Sequence, residues 1–229
     1  MARRYAIRQD AAPVAPISGI DYRTALNEEQ YAAVSSEPGP ALVIAGAGSG
    51  KTRTLTYRVA WLLDHGTDPW NILLLTFTNK AAREMTERVR SLIPLDLSRL
   101  WSGTFHSIAN RILRQHAEYL GYTPAFTIMD SDDRKSMIKS VVKSLKLDEK
   151  STRFPKPEVL SSLFSLADNE GANIRETQEN AYPYLSNHLD AILEVHDQYV
   201  ARKQETNSMD FDDLLLNVVR LFQEQEHLR

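Results

Sequence analysis

The stretch Ala45-Gly46-Ala47-Gly48-Ser49-Gly50-Lys51-Thr52 constrains this chain more than any other part of it. Of only nine glycines in 229 residues, three fall between positions 46 and 50. The continuous apolar run Ala41-Leu42-Val43-Ile44-Ala45 leads in, the pattern of a short strand buried in a parallel sheet. A helical stretch from Lys51 to about Asp64 leads out. The segment fits the phosphate-loop pattern G-x-x-x-x-G-K-[ST] at its last three defined positions, with Ala45 in place of the first glycine. Glycines let successive backbone N–H groups turn inward around an anion, and the helix N-terminus adds partial positive charge. Lys51 would reach the β- and γ-phosphates of a bound nucleotide, and the Thr52 hydroxyl would hold Mg²⁺. A glycine-rich turn carrying a chance Gly-Lys-Thr is the plain alternative, but strand, loop, lysine and helix agree on a nucleotide.

Around this loop the pattern alternates. Asn27-Glu28-Glu29-Gln30 reads as a helix start, with Asn27 as N-cap and Gln30 at the reciprocal capping-box position. Ile72-Leu73-Leu74-Leu75 is a second apolar strand, and from Asn79 the residues Ala82, Met85, Val89 and Leu92 recur at helical spacing. Leu100 to Thr104 suits a third strand. Phe105, Ala109, Ile112 and Leu113 mark a further amphipathic helix, with Phe105 on its core face. The first half is therefore α/β with a parallel sheet. Residues 119 to 205 read mostly as helices broken by Gly121, Pro124, Pro155, Pro157, Gly171 and Pro183, a separate helical subdomain. Residues 1 to 25, with Pro13, Pro16 and Gly19 and no apolar period, read as a loose arm.

Composition narrows the setting. No apolar run approaches the ~18 residues of a membrane span, and the N-terminus lacks the apolar segment of a secretory signal. Zero cysteines remove disulfides and thiolate chemistry, which fits a cytoplasmic location. The net charge of -3 hides an uneven distribution: +3 over residues 1 to 118, +6 over 134 to 156 and -9 over 157 to 229. A polyanion would meet the first half and the middle. Within the basic middle, Lys135, Lys139, Lys143, Lys146 and Lys150 step by three or four and share one arc of a helix, opposite Ile138, Val141, Val142 and Leu145. Such a stripe is either an ordinary solvated face or a contact for the phosphates of duplex DNA. For the acidic pair that hydrolysis needs, Phe126-Thr127-Ile128-Met129-Asp130 and Asp212-Asp213 are the candidates, and neither has the full pattern.

Five segments in order resemble the motifs of the UvrD/PcrA/Rep family of superfamily 1 DNA helicases. Leu26-Asn27-Glu28-Glu29-Gln30-Tyr31-Ala32-Ala33-Val34 is similar to its Q-motif, and Ala45 to Thr52 to motif I, where Ala45 is an accepted variant. Thr76-Phe77-Thr78-Asn79-Lys80-Ala81-Ala82-Arg83-Glu84-Met85 resembles motif Ia, and Ser102-Gly103-Thr104-Phe105-His106-Ser107 motif Ib. Met209-Asp210-Phe211-Asp212-Asp213-Leu214-Leu215 resembles the segment just ahead of motif II.

The resemblance implies a RecA-like P-loop NTPase sheet with helices on both faces and an inserted all-helical subdomain. It implies an ATP- and Mg²⁺-dependent helicase moving 3′ to 5′ on single-stranded DNA and single-strand/duplex junctions, in DNA repair or replication. Gln30 would read the adenine edge, an amide offering donor and acceptor together, unless it serves only as a capping residue. Ala45, Gly46, Ala47, Gly48, Ser49, Gly50, Lys51, Thr52 and Arg53 would line the nucleotide site. Phe77, Thr78, Asn79, Lys80, Thr104 and His106 would contact single-stranded DNA by stacking and phosphate contacts. Phe211 is either a stacking residue or plain packing. The implied division is an arm over 1–25, subdomain 1A over 26–116, the helical subdomain 1B over 117–203 and a return to 1A over 204–229. On this reading motif II and the second lobe belong to a C-terminal part of the same parent, leaving the fragment inactive as a helicase by itself. A small-molecule P-loop kinase, or a non-catalytic nucleotide- or DNA-binding module, is the rival; a kinase leaves Thr76 to Met85 unexplained.

Overall fold

The computed structural model describes residues 17–147 and 154–228. The chain divides between Ile108 and Ala109 into two compact units.

The first unit is built on a helix that begins inside the phosphate loop. Helices α1 (Tyr22–Ala25), α2 (Glu28–Ser35) and α3 (Lys51–Asp64) precede strand β1 (Leu73–Thr76), helix α4 (Asn79–Leu92), strand β2 (Trp101–Thr104) and the start of α5 (Phe105–His116). β1 and β2 run parallel, with Leu73 opposite Trp101 and Thr76 opposite Thr104. A parallel pair needs a crossover, and α4 supplies it, packing on both strands and on α3. Val34, Val59, Ala60, Leu63, Leu74, Met85, Val89 and Ile93 close the core. Asn27 caps α2 through the expected box: its side chain accepts from Gln30 N, and Gln30 Oε1 accepts from Asn27 N at 3.3 Å.

Two expectations fail in this unit. Residues 41–45 pair with no strand among the described residues, and Leu42 and Ile44 are 86% and 90% exposed. An apolar run supplies one backbone, whereas a strand is a relation between two; β1 and β2 pair only with each other. Residues 17–25 are not loose. Asp21 caps α1, and the buried carboxylate of Asp64 accepts from Ile17 N, Ser18 N and the Tyr22 hydroxyl, the last at 2.6 Å. These bonds strap the segment to the end of α3. Residues 1–16 of the arm lie outside the described residues.

The second unit is mostly helical. After the rest of α5 come β3 (Thr127–Ile128), α6 (Ser131–Ser144), α7 (Pro157–Glu170), α8 (Ile174–Ala181), α9 (Leu189–Glu205), β4 (Ser208–Met209) and α10 (Phe211–Glu224). Ile138, Leu160, Leu163, Phe164, Ile192, Val195 and Tyr199 join α6, α7 and α9 in one core. Leu113, Phe126, Met209, Leu214 and Leu221 form another. The two-residue strands β3 and β4 pair in parallel, β3 inside the region read as helical and β4 just after it. The five-lysine stripe is broken here: α6 stops at Ser144 with Leu145 as C-cap, and Lys146 takes φ +55°. Lys135 pairs with Asp132 at 2.9 Å, Lys139 and Lys143 are exposed, and Lys150 lies outside the described residues. A period of 3.6 carries a stripe only as far as the helix itself runs.

Candidate functional site

The phosphate loop and α2 meet at one side chain. Gln30 holds its own N-cap through Oε1 and donates from Nε2 to the carbonyl of Ser49 at 2.9 Å. The amide thereby fills the capping role, and its second bond brings the Q-motif segment against the loop. Gly48 and Gly50 take φ +78° and +84°. Gly50, at the head of α3, holds a φ that strains any other residue, and a Cβ there would lie 2.7 Å from Gln30 Nε2 and displace that side chain. Ser49 Oγ donates to Gly46 O at 2.7 Å and tightens the turn.

Lys51 folds back over the loop, with Nζ donating to the carbonyls of Ala45 at 3.0 Å and Gly46 at 2.9 Å. Those are neutral acceptors, and an ammonium gains more from an anion, so phosphate oxygens would compete well for the same donors. Thr52 is exposed on the first turn of α3, where its hydroxyl can serve a cation. Among the described residues no group of three or more His, Asp or Glu is placed to hold a metal. Arg53 donates to Ala25 O at 2.8 Å and lies over the Tyr57 ring at 4.8 Å, flanking the loop on the α1 side.

A second cluster stands where β1 and β2 end. Phe77 follows β1 and is 91% exposed; Phe105 follows β2 and is 42% exposed; their ring centroids are 5.6 Å apart. Phe105 is thus no core residue, contrary to the helical-face reading. The sequence carried a signal for this pair: Thr-Phe stands at the end of both strands, and the register sets Thr76 opposite Thr104. Thr78 caps α4 by accepting from Ala81 N, and Thr104 Oγ1 accepts from Ser107 N at 3.2 Å. Asn79 and Lys80 are exposed on the first turn of α4, Lys80 within 3.9 Å of Glu84. His106 is half-buried. Two exposed rings beside polar and cationic side chains make a platform suited to stacked bases with a backbone running past.

Phe211 belongs to the second unit, 51% exposed on the first turn of α10. The acidic run around it has partners that no local pattern announced. Lys203 of α9 is buried, with Nζ 3.1 Å from Asp210 and 2.7 Å from Asp213; Arg134 of α6 donates to Asp212 at 2.5 Å. The Tyr199 hydroxyl donates to Asp210 at 2.7 Å, and Asp210 also caps α10. Burial pushes the Asp210 carboxyl up, but Lys203, Arg134 and the hydrogen bonds outweigh it and hold Asp210 below its usual range. Burial lowers Lys203 while the two carboxylates raise it further, so it stays charged. Asp212 and Asp213 are therefore committed to buried cations rather than to chemistry.

Comparison with known proteins points the same way. The family described as UvrD/REP helicase N-terminal domain matches residues 26–229. The chain is 41% identical over 199 residues to the ATP-dependent DNA helicase PcrA of Staphylococcus aureus (strain Mu50 / ATCC 700699), covering 86% of this chain and 26% of that one. It is 42% identical over the same length to the ATP-dependent DNA helicase PcrA of Staphylococcus epidermidis (strain ATCC 12228 / FDA PCI 1200), again 86% of this chain and 26% of the relative. The chain thus spans about a quarter of the length of the curated relatives it matches.

Proposed function

Because this chain belongs to the UvrD/REP helicase N-terminal domain family, we propose that it is the ATP- and single-stranded-DNA-binding N-terminal region of a 3′ to 5′ DNA helicase serving DNA repair or replication in the cytoplasm. The observation that carries this reading is the Gln30 to Ser49 hydrogen bond, which ties an adenine-reading amide to a phosphate loop. Gln30 reads the base edge, and Gly46 to Gly50 cradle the phosphates. Lys51 leaves its two carbonyls for the β- and γ-phosphate oxygens. Thr52 contributes a ligand to Mg²⁺, which neutralises phosphate charge when bound. Arg53 closes the side next to α1.

Phe77 and Phe105 form the stacking platform for single-stranded DNA, with Thr78, Asn79, Lys80, Thr104 and His106 beside them in the first unit; Phe211, in the second unit, is by itself a further candidate for stacking. Exposed Lys139 and Lys143 suit duplex phosphates at a single-strand/duplex junction. We read residues 26–116 with 204–229 as the ATP-binding subdomain 1A and 117–203 as the helical insertion 1B, although 204–229 group with the second unit here.

Fluorescent nucleotide titration with Mg²⁺ tests the reading. Lys51→Ala should weaken ATP affinity at least about tenfold, because it removes a charge-assisted bond to phosphate. Gln30→Ala should abolish the preference for ATP over GTP while retaining phosphate-driven binding. Equal affinity of the parent chain for both nucleotides overturns the adenine role, and turnover of a small-molecule phosphoryl acceptor would favour a kinase instead.

A further inference from the structure

The second unit holds a cavity of about 370 Å³ between the end of α7, the start of α8 and the middle of α9. Ala167, Ile174 and Leu193 give it apolar walls, and Asp168, Arg175 and His196 are its ionisable lining. His196 brings no charge at neutral pH. Burial, with the Lys203 ammonium adding to it, holds its imidazole below the usual range against the pull of Asp197. The Asp168 carboxyl, pushed up to about 6 by burial and by Asp210, Asp212 and Asp213 against the pull of Lys203, is ionised above that pH. One negative and one positive side chain therefore line the same space, since arginine is charged throughout the physiological range.

These two charges are not spent inside the protein. Asp168 and Arg175 do not pair with each other, and neither side chain has a hydrogen bond or ion pair among the described residues. Nor do they serve their own helices. Asp168 lies in the last turn of α7 and Arg175 in the first turn of α8, so each stands at the end of a helix dipole that carries its own sign. A carboxylate and a guanidinium left unpaired in one apolar-walled cavity complement a molecule that carries the opposite pair on a hydrocarbon body.

We propose that this cavity binds a small zwitterion of the aliphatic α-amino-acid class: Asp168 takes the ammonium, Arg175 takes the carboxylate in its two-pronged fork, and Ala167, Ile174 and Leu193 receive the hydrocarbon. The site lies within the second unit and is independent of the nucleotide and DNA readings.

Amide NMR shifts of this chain at about pH 8, where Asp168 is ionised, test it with three probes: L-leucine, isoamylamine, which lacks the carboxylate, and 4-methylpentanoate, which lacks the ammonium. Leucine should move the signals of Asp168, Arg175 and His196 and saturate, and each analogue should bind about tenfold more weakly for the loss of one charge-assisted contact. Asp168→Asn should weaken leucine about tenfold and leave 4-methylpentanoate unchanged; Arg175→Gln should weaken leucine by a similar factor and leave isoamylamine unchanged. Unshifted signals elsewhere in each variant separate lost binding from lost folding. Leucine binding no tighter than isoamylamine or 4-methylpentanoate overturns the zwitterion assignment. Leucine affinity that survives both substitutions, or no saturable shift at these residues up to about 100 mM, overturns the site.

Discussion

At the scale of single residues, the proposed nucleotide site depends on a glycine that two separate constraints favour. Gly50 sits at φ +84° and within reach of Gln30 Nε2. Gly50→Ala should therefore strain the backbone by about 1–2 kcal/mol and push Gln30 off Ser49. Nucleotide titration and thermal melting check this together: affinity for ATP and melting temperature should both fall, and Gln30→Ala in the same background should recover part of the stability. Both the glycines and Gln30 were legible in the sequence, because loop chemistry and capping are local. Phe105 was not read correctly from its period. Its spacing to Ala109 and Leu113 places it on the core face, but it is the first residue of α5. Helical side chains lean toward the N-terminus, so the ring of a first residue leans off the helix end, toward whatever stands beside the strand ends, here Phe77.

At the scale of elements, the start of α10 is fixed by a socket of carboxylates filled from α6 and α9. The acidic run at 210–213 is obvious in sequence, but of its cations Arg134 lies 78 residues from Asp212 and Lys203 lies across a helix end and a strand, so no helical spacing pairs them. Lys203→Met should be strongly destabilising, by about 3–5 kcal/mol, since it leaves Asp213 buried without its cation and Asp210 with Arg134 alone. Urea unfolding should show that loss shrinking toward acid pH, as the stranded carboxylates take up protons. Asp168 on α7 has the opposite character. Burial foremost, with Asp210, Asp212 and Asp213 adding to it, pushes its carboxyl up from 3.8 to about 6 despite the nearby Lys203. A raised carboxyl binds its proton more tightly in the folded chain, so it subtracts stability as pH rises from about 4 to about 6. Asp168→Asn should flatten the stability profile across that window and raise the melting temperature at neutral pH, with little change below pH 3.8.

At the scale of the whole chain, family membership was the most legible property and the sheet the least. Five short motifs, each with local chemistry, identify the family. Sheet pairing depends on partners far away in sequence, so an apolar run alone could not foretell whether 41–45 would find one. Leu42, Val43 and Ile44 are left facing water in a row, a backbone with unspent hydrogen bonds and a greasy face. Chains of this kind seek each other edge to edge, and a net charge of only -3 offers weak mutual repulsion. Light scattering should show self-association that climbs with concentration and is suppressed by Leu42→Glu, a gatekeeper charge. The segment that threads the phosphate loop is therefore also the point at which this chain, handled by itself in solution, is expected to clump.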